Sequence, residues 1–276
     1  MNLGCKLWVL GSPDPEMRVI GAVLNRCGQQ SVRAATHNGR RANARQSYQA
    51  DRIVLDSHHG VVLIECRMPV EGAKSVIRVD HHAPGDPGYG QPPARYWEAS
   101  SIGQVFALLE IAPTRRDRMV AAADHCLSAA YRGLCPGVDP GALMRWRLDY
   151  RARVLGVSAA NLLSAIEYTR ARLREMAVDG IADLTREPRG TLPEAPEAAA
   201  REGLAVIARV AGQGATKTVF MGHASPARIA AWMEAERRCG KTVYGDPDRG
   251  FAGSYREQRE EKPDRDGLEM HPGGPA

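Results

Sequence analysis

Ser75–Gly90, SVIRVDHHAPGDPGYG, carries the most information in the chain. A short apolar run, Val76–Val79, leads straight into Asp80-His81-His82, and a Gly/Pro loop follows that carries one more acid, Asp86. The β-branched run reads as a strand. Such a strand presents an acid and two imidazoles at the edge of a sheet, where α/β folds bind their ligands. Taken alone, an adjacent pair of histidines at a strand end is more often a surface feature than a site. The residues around it decide between the two.

Upstream, Lys6–Leu10 (KLWVL) predicts a strand, Gly11–Glu16 (GSPDPE) a tight turn, and Pro15–Cys27 a helix with Met17, Ile20, Val23 and Leu24 on one face and Gly28 at its close. Ser31–Ala35 then reads as a second strand, giving a β-α-β start and a parallel sheet. Asp51–Leu55 and Gly60–Cys66 (GVVLIEC) follow as one or two strands, the latter ending in Glu65. Acids therefore arrive at successive strand ends: Asp14 and Glu16, Glu65, then Asp80.

From Ala99 the pattern turns helical. Ser100 and Ser101 are N-cap candidates for a helix to about Ile111. Arg115–Arg132 is a second helix, whose apolar stretch contains Asp124 and His125, costly to bury unless paired or bound to a metal. Helices over 140–155 and 158–176 are arginine-rich, which reads as solvated surface. Residues 177–196, with their prolines, read as a linker. Beyond it the pattern predicts a helix over 197–210, a strand over 217–221, a helix over 226–239, a strand over 242–244 and a glycine-rich loop, GDPDRGFAGSYR. The charged, Pro/Gly-rich residues 257–276 read as a disordered tail. The fold class expected is α/β: a parallel-sheet domain over 1–178 that is helical from about 99, a linker over 179–196, and a smaller α/β domain over 197–256.

Composition narrows the classes. The chain has 276 residues, 43% hydrophobic and 25% charged, the balance of a globular protein with a sizeable core. A net charge of +5 suits an anionic ligand without requiring one, and 5% aromatics leaves no obvious stacking platform for single strands. Six cysteines are scattered without a CxxC pair, so reduced thiols in a cytoplasmic protein are expected. No signal-peptide pattern or apolar run of about 20 residues is present. A nucleophile elbow, a P-loop and GxGxxG are also absent. His37, His58 and His59 stand in polar stretches and read as surface residues or reserve ligands. Arg40, Arg41 and Arg45 read as an exposed loop or as a phosphate-binding cluster.

Carboxylates and imidazoles gathered along one sheet edge make an oxygen and nitrogen site suited to Mn²⁺ or Mg²⁺. One or two such ions suffice to clamp a phosphoryl group and generate hydroxide from water. A pair of ions needs a shared carboxylate, for which Glu65 and Asp80 are both candidates.

In this ordered set the chain resembles the DHH phosphoesterase superfamily. The motifs that carry the resemblance are Pro13-Asp14-Pro15-Glu16, the strand-end Glu65, Asp80-His81-His82, Ser100-Ser101, Asp124, and the glycine-rich Gly245–Gly253. The resemblance implies Asp14, Glu16, Glu65, His81 and Asp124 as metal ligands, His82 facing substrate phosphate, and Asp80 orienting its neighbours. It also implies Arg249, Gly250 and Gly253 as substrate-binding residues, with Arg40, Arg41 and Arg45 as further contacts. The expected activity is metal-dependent hydrolysis of a phosphate ester of a nucleotide or short oligonucleotide, away from membranes, with a homodimer as the one assembly considered. Several positions depart from the family pattern. Leu10 stands where a histidine is usual, Glu16 and Glu65 where Asp is usual, and Arg249 where the loop usually has a histidine. Asp56 is an alternative to Glu65. The departure at Leu10 leaves a second expectation open, a relative that binds nucleotide or nucleic acid without turnover.

Overall fold

A computed structural model describes residues 6–36, 39–43, 46–54, 60–211 and 216–256. The sheet on which the site is built starts from β1 (Lys6–Leu10), α1 (Pro15–Arg26) and β2 (Ser31–Arg33), with β1 and β2 parallel. β3 (Ile53–Val54) pairs with β5 (Val70–Glu71) as a small separate ribbon. β4 (Gly60–Ile64) lies parallel to β1, and β6 (Ser75–Val79) parallel to β4, so the order is β2-β1-β4-β6. The chain winds outward from β1 to β2 and then returns to the other side of β1. The crevice between the C-terminal ends of β1 and β4 is thus a topological switch point, the usual ligand position in such sheets.

Alternation along the strands divides the apolar residues between two faces. Trp8, Leu10, Val62, Ile64 and Val79 pack on Met17, Ile20, Val23 and Leu24 of α1. Leu7, Val9, Val61 and Leu63 pack on Ala34, Ala42, Ala50 and Cys66. Asp14 starts α1 by accepting from Met17 N at 2.7 Å, and Pro15 fills the first helical position, where its missing N–H costs nothing.

The helical part comprises α2 (Tyr96–Ala99), α3 (Ser101–Leu109), α4 (Arg115–Tyr131), α5 (Pro140–Leu155) and α6 (Ala159–Met176). Ser100, Thr114, Asp139 and Ser158 cap α3 to α6 through side-chain oxygens. α4 is broken at Cys126, whose φ of −157° and ψ of 60° are not helical.

A second, mixed sheet follows, made of β7 (Ile181–Asp183), β8 (Ala205–Ala211), β9 (Thr216–Gly222), β10 (Thr242–Asp246) and β11 (Phe251–Tyr255), with α7 (Ala195–Glu202) and α8 (Pro226–Arg238). Its order is β10-β11-β9-β8-β7, antiparallel except for β7 with β8. The protein is therefore α/β with two main sheets, as expected. Among the described residues no helix is long and apolar enough to cross a membrane.

Four local expectations need correction. The stretch read as a linker contains β7, and Leu184 beside it is fully buried. The helix expected over 197–210 ends at Glu202, because Gly203 takes a left-handed φ of 67°, and AVIARVA becomes β8 between β7 and β9. The glycine-rich loop is a hairpin, β10 and β11 joined by a turn over Pro247–Arg249. The arginine-rich α6 is also not all surface, since Leu162, Ile166 and Leu173 share one apolar cluster with Ala182, Val206 and Val219. His37, Arg45, Asp56, His58, His59, Cys5 and residues 257–276 lie outside the described residues.

Candidate metal centre

The C-terminal edge of the first sheet gathers Glu16 from the first turn of α1, Glu65 after β4, His81 after β6 and Asp124 from α4. One ligand atom from each of these residues lies within 4.8 Å of all the others, and Glu65, His81 and His82 form an overlapping set. Glu16, Glu65 and His81 are buried, and Asp124 is partly so.

Local backbone explains why Glu65 can be there. It has a φ of 47°, in the left-handed region that a non-glycine residue occupies only when its surroundings enforce it. Gly11 is part of that enforcement. A Cβ at this position would sit 2.4 Å from the Glu65 carbonyl oxygen, so only glycine lets the two strand ends meet. Gly88 does the same for the DHH loop, where an added Cβ would lie 1.9 Å from the Ala99 oxygen and 2.8 Å from His81 Cβ.

Hydrogen bonds fix the inner side of the cluster and leave its centre open. Glu16 Oε1 accepts from Ile102 N at 2.9 Å, and Ser101 Oγ donates to Glu65 Oε1 at 2.8 Å. His81 Nε2 lies 3.1 Å from Asp124 Oδ2 and 3.3 Å from Glu65 Oε1, but neither approach is aligned as a hydrogen bond. Glu16 Oε2, His81 Nε2 and Asp124 Oδ2 are thus buried without partners among the described residues. Buried orphans of this kind are rare and costly. A hard divalent cation fits them, with three carboxylates and one imidazole as donors.

Proton bookkeeping points the same way. His125 Nε2 lies 3.2 Å from the Gln91 carbonyl, which only accepts, so that nitrogen carries the proton. Burial, with Arg249 and His81 nearby, pushes the His125 pKa down to about 3, so the ring is neutral and its Nδ1 is an acceptor. His81 Nδ1, 3.1 Å away, must then be the donor. His81 Nε2 is left facing two carboxylates with either a second proton or a lone pair, and a cation there replaces the proton and satisfies all three groups.

Without a cation the acids respond as crowded buried carboxylates do. Burial first, then Glu65 and Asp124, pushes Asp14 up to about 8. Burial, then Asp124 and Glu65, drives Glu16 well above its ordinary value. Burial alone would raise Glu65 and Asp124 too, but His82 and His81 outweigh it for Glu65, and His81 and Arg249 outweigh it for Asp124, so both are held low. Asp14 belongs to neither ligand set; its Oδ1 is engaged at the start of α1.

Asp80 is wholly buried and organises the loop beyond β6. Its Oδ1 accepts from His81 N at 2.7 Å, His82 N at 3.1 Å and Tyr48 OH at 3.3 Å, and lies 2.9 Å from His82 Nδ1. The His82 side chain is 39% exposed at the mouth of the cluster. Burial would lower its pKa, but Glu65 and Asp80 raise it to about 9, so it is an imidazolium at neutral pH and attracts an anion. Asp86 shapes the same loop by accepting from Ala83 N at 2.7 Å and pairing with Arg67 at 2.9 Å.

Arg249 reaches this centre from the turn between β10 and β11. Its guanidinium donates to three backbone carbonyls, His125 at 2.9 Å, His81 at 3.1 Å and Asp124 at 3.2 Å. The break in α4 at Cys126 leaves the carbonyls before it as a helix end, and a cation there is favoured by the peptide dipoles. The side chain expected to hold substrate is thus engaged in holding the ligand-bearing segments. Gly250 and Gly253 are needed for close packing. A Cβ at Gly250 would meet the Gly222 oxygen at 2.6 Å, and one at Gly253 the Tyr244 ring at 2.4 Å. Arg40 and Arg41 are exposed, and no contact among the described residues ties them to the cluster. Arg41 instead lies near Arg33, whose pKa is lowered by burial and by that neighbour.

Sequence reasoning missed Tyr48, the Ser101 contact to Glu65, and the link of His125 to His81. The Asp124-His125 pair in an apolar run was the available signal for the last; Tyr48 carried none. It also missed that Cys126 and Cys135, both buried, bring their Sγ atoms to 3.3 Å.

No protein-family model matches the chain, and no curated protein matches it. A solved structure described as "pGpG-specific phosphodiesterase - PggH from Vibrio cholrae" aligns with 91% of this chain and 92% of its own. The identity is 12% and the TM-score 0.36, too low to establish a shared fold.

Proposed function

We propose that the protein is a metal-dependent phosphoesterase of DHH type, acting on a phosphate ester of a nucleotide or short oligonucleotide. The observation that carries this reading is the set Glu16, Glu65, His81 and Asp124, with three buried polar atoms unpartnered, beside a partly exposed imidazolium on His82. Mn²⁺ or Mg²⁺, when bound there, supplies Lewis acidity toward a phosphoryl oxygen and generates the nucleophile from water at neutral pH. His82 draws the phosphate to the mouth, and Asp80 keeps that ring charged and oriented. Residues 81–91 and the β10–β11 turn form the two sides of that mouth, joined by Gly90 N donating to Asp246 Oδ2 at 3.1 Å and by Arg249. The proposed division of labour gives the metal ligands to the first sheet with its helices and the opposing wall to the second.

One ion per chain is the reading the geometry favours, because both ligand sets draw on the single free nitrogen of His81 and Asp14 stands outside both. Leu10, at 3% exposure, is part of the apolar core and offers no further ligand. The same residue favours the second reading, binding without turnover. Metal analysis of purified protein, with Mn²⁺-dependent hydrolysis of a generic phosphodiester and of short oligonucleotides, separates them. The enzyme reading expects about one ion per chain and turnover that Asp80→Ala and His81→Ala abolish. Absence of bound Mn²⁺ and equal rates in wild type and variants sink it, and stoichiometric metal without cleavage favours the binding protein.

A further inference from the structure

Outside the metal centre, α1, α4 and α5 enclose an open groove of about 650 Å³, a volume typical of small-ligand sites. Four exposed arginines line it, Arg18 and Arg26 from α1, Arg116 from α4 and Arg153 from α5. The one acid in the lining, Asp117, is occupied by its own helix start, accepting from Thr114 N at 2.8 Å and Thr114 Oγ1 at 2.7 Å. Among the described residues, none of the four guanidinium groups has a carboxylate partner.

Other arginines of the same helices are paired. On the other side of α5, Arg147 pairs with Glu197 at 2.9 Å and Arg151 with Glu194 at 2.6 Å, and Arg201 of α7 pairs with Glu197 at 3.1 Å. Along the groove the four arginines have no such counter-charge, so its lining attracts anions. Guanidinium groups are well suited to phosphate oxygens.

The groove also has an aromatic wall. Trp146 and Tyr150 of α5 stack on each other with centroids 5.7 Å apart and an interplanar angle of 29°, and both line the groove. Phosphate-binding cations beside a π face match one chemical class, a phosphorylated nucleoside whose base stacks on the wall.

We propose that this groove is a second binding site, for a nucleotide carrying two or more phosphates, distinct from the metal centre. Pro15 lines it and lies between Asp14 and Glu16, so the two sites share the start of α1. Titration calorimetry in EDTA, with ADP, pyrophosphate and adenosine as probes, tests the site on the full chain in a His81→Ala background that weakens the metal centre. ADP is expected to bind more tightly than pyrophosphate, and adenosine most weakly. Arg18→Gln/Arg153→Gln should lower ADP affinity at least tenfold and flatten its salt dependence. Tyr150→Leu should reduce the advantage of ADP over pyrophosphate. Thermal melting checks that each variant is folded, and Arg116→Gln replaces any that is not. No ADP binding, an affinity unchanged by the arginine substitutions, or pyrophosphate binding as tightly as ADP would overturn the proposal.

Discussion

Around Glu197 every buried charge has a partner, whereas around Glu65 the centre of the cluster is unpaired. Glu197 is 2% exposed and accepts from Tyr131, Arg147 and Arg201, joining α4, α5 and α7. None of its buried side-chain atoms, nor those of its arginines, is left without a hydrogen bond. The cluster at the first sheet's edge is as deeply buried, yet it orphans Glu16 Oε2, His81 Nε2 and Asp124 Oδ2. Burial of charge is common to both; what differs is satisfaction. A closed network ties elements together, and an open one with hard donors waits for an ion.

The largest effect that can break this distinction is at His81. His81→Ala should abolish Mn²⁺ binding and reduce hydrolysis to background, with a smaller loss of melting temperature in EDTA, because His125 Nδ1 loses its donor and Glu65 and Asp124 lose the imidazole that offsets their burial. A melting temperature that still climbs on adding Mn²⁺ would show the ion is held elsewhere. Glu197→Ala should do the opposite. It leaves Arg147 buried without a counter-ion and should cost about 3–5 kcal/mol in urea unfolding, with Mn²⁺ affinity of the folded protein unchanged.

Arg249 belongs to both types, since it is fully engaged but engaged in positioning ligands. Arg249→Lys cannot serve three carbonyls with one planar fork, so Mn²⁺ affinity, followed by titration, should fall about 10- to 100-fold in a protein that still folds. The smallest effect is the pH dependence at Glu197. Burial alone would raise its pKa, but Arg147, Tyr131 and Arg201 outweigh that and hold it below the ordinary 4.5. A carboxylate depressed on folding stabilises above its unfolded value and loses that contribution as pH falls through the folded one. The stability gap between wild type and Glu197→Gln should therefore be full at neutral pH and shrink steadily below pH 4.5. A gap that is flat in pH would mean that the ion pairing contributes nothing.

Much of the first sheet was legible because its signals are local. β1 and β4 are nearly continuous apolar runs and β6 is rich in β-branched residues, and Asp14, Ser100 and Ser158 mark helix starts by side-chain oxygens that cap nearby N–H groups. The order of acids at strand ends likewise pointed to Glu16 and Glu65 beside the DHH segment, but equally to Asp14 and Asp80, which fall in neither ligand set, and Asp124 was signalled by its apolar helix instead. The second sheet was less legible. Ala205–Ala211 continues an alanine-rich helix in composition, and only the left-handed Gly203 and the flanking strands make it β8. β7 is three residues long, too short for any periodicity. In Gly245–Gly253 the glycines that read as a flexible loop are there because the Tyr244 ring and the Gly222 carbonyl leave no room for a side chain. The role of Arg249 depends on carbonyls more than a hundred residues away, which no local pattern encodes.

That distance has a consequence for how the protein comes into being. Arg249 binds the carbonyl of Asp124, 125 residues earlier, and that of His81, 168 residues earlier. A chain still being synthesised acquires its first sheet and all four acid and imidazole donors well before it acquires the side chain that fixes two of their backbone segments. The centre therefore matures only after the β10–β11 turn has been made. A product cut short before the β10–β11 turn would carry every ligand and still lack the geometry to use them.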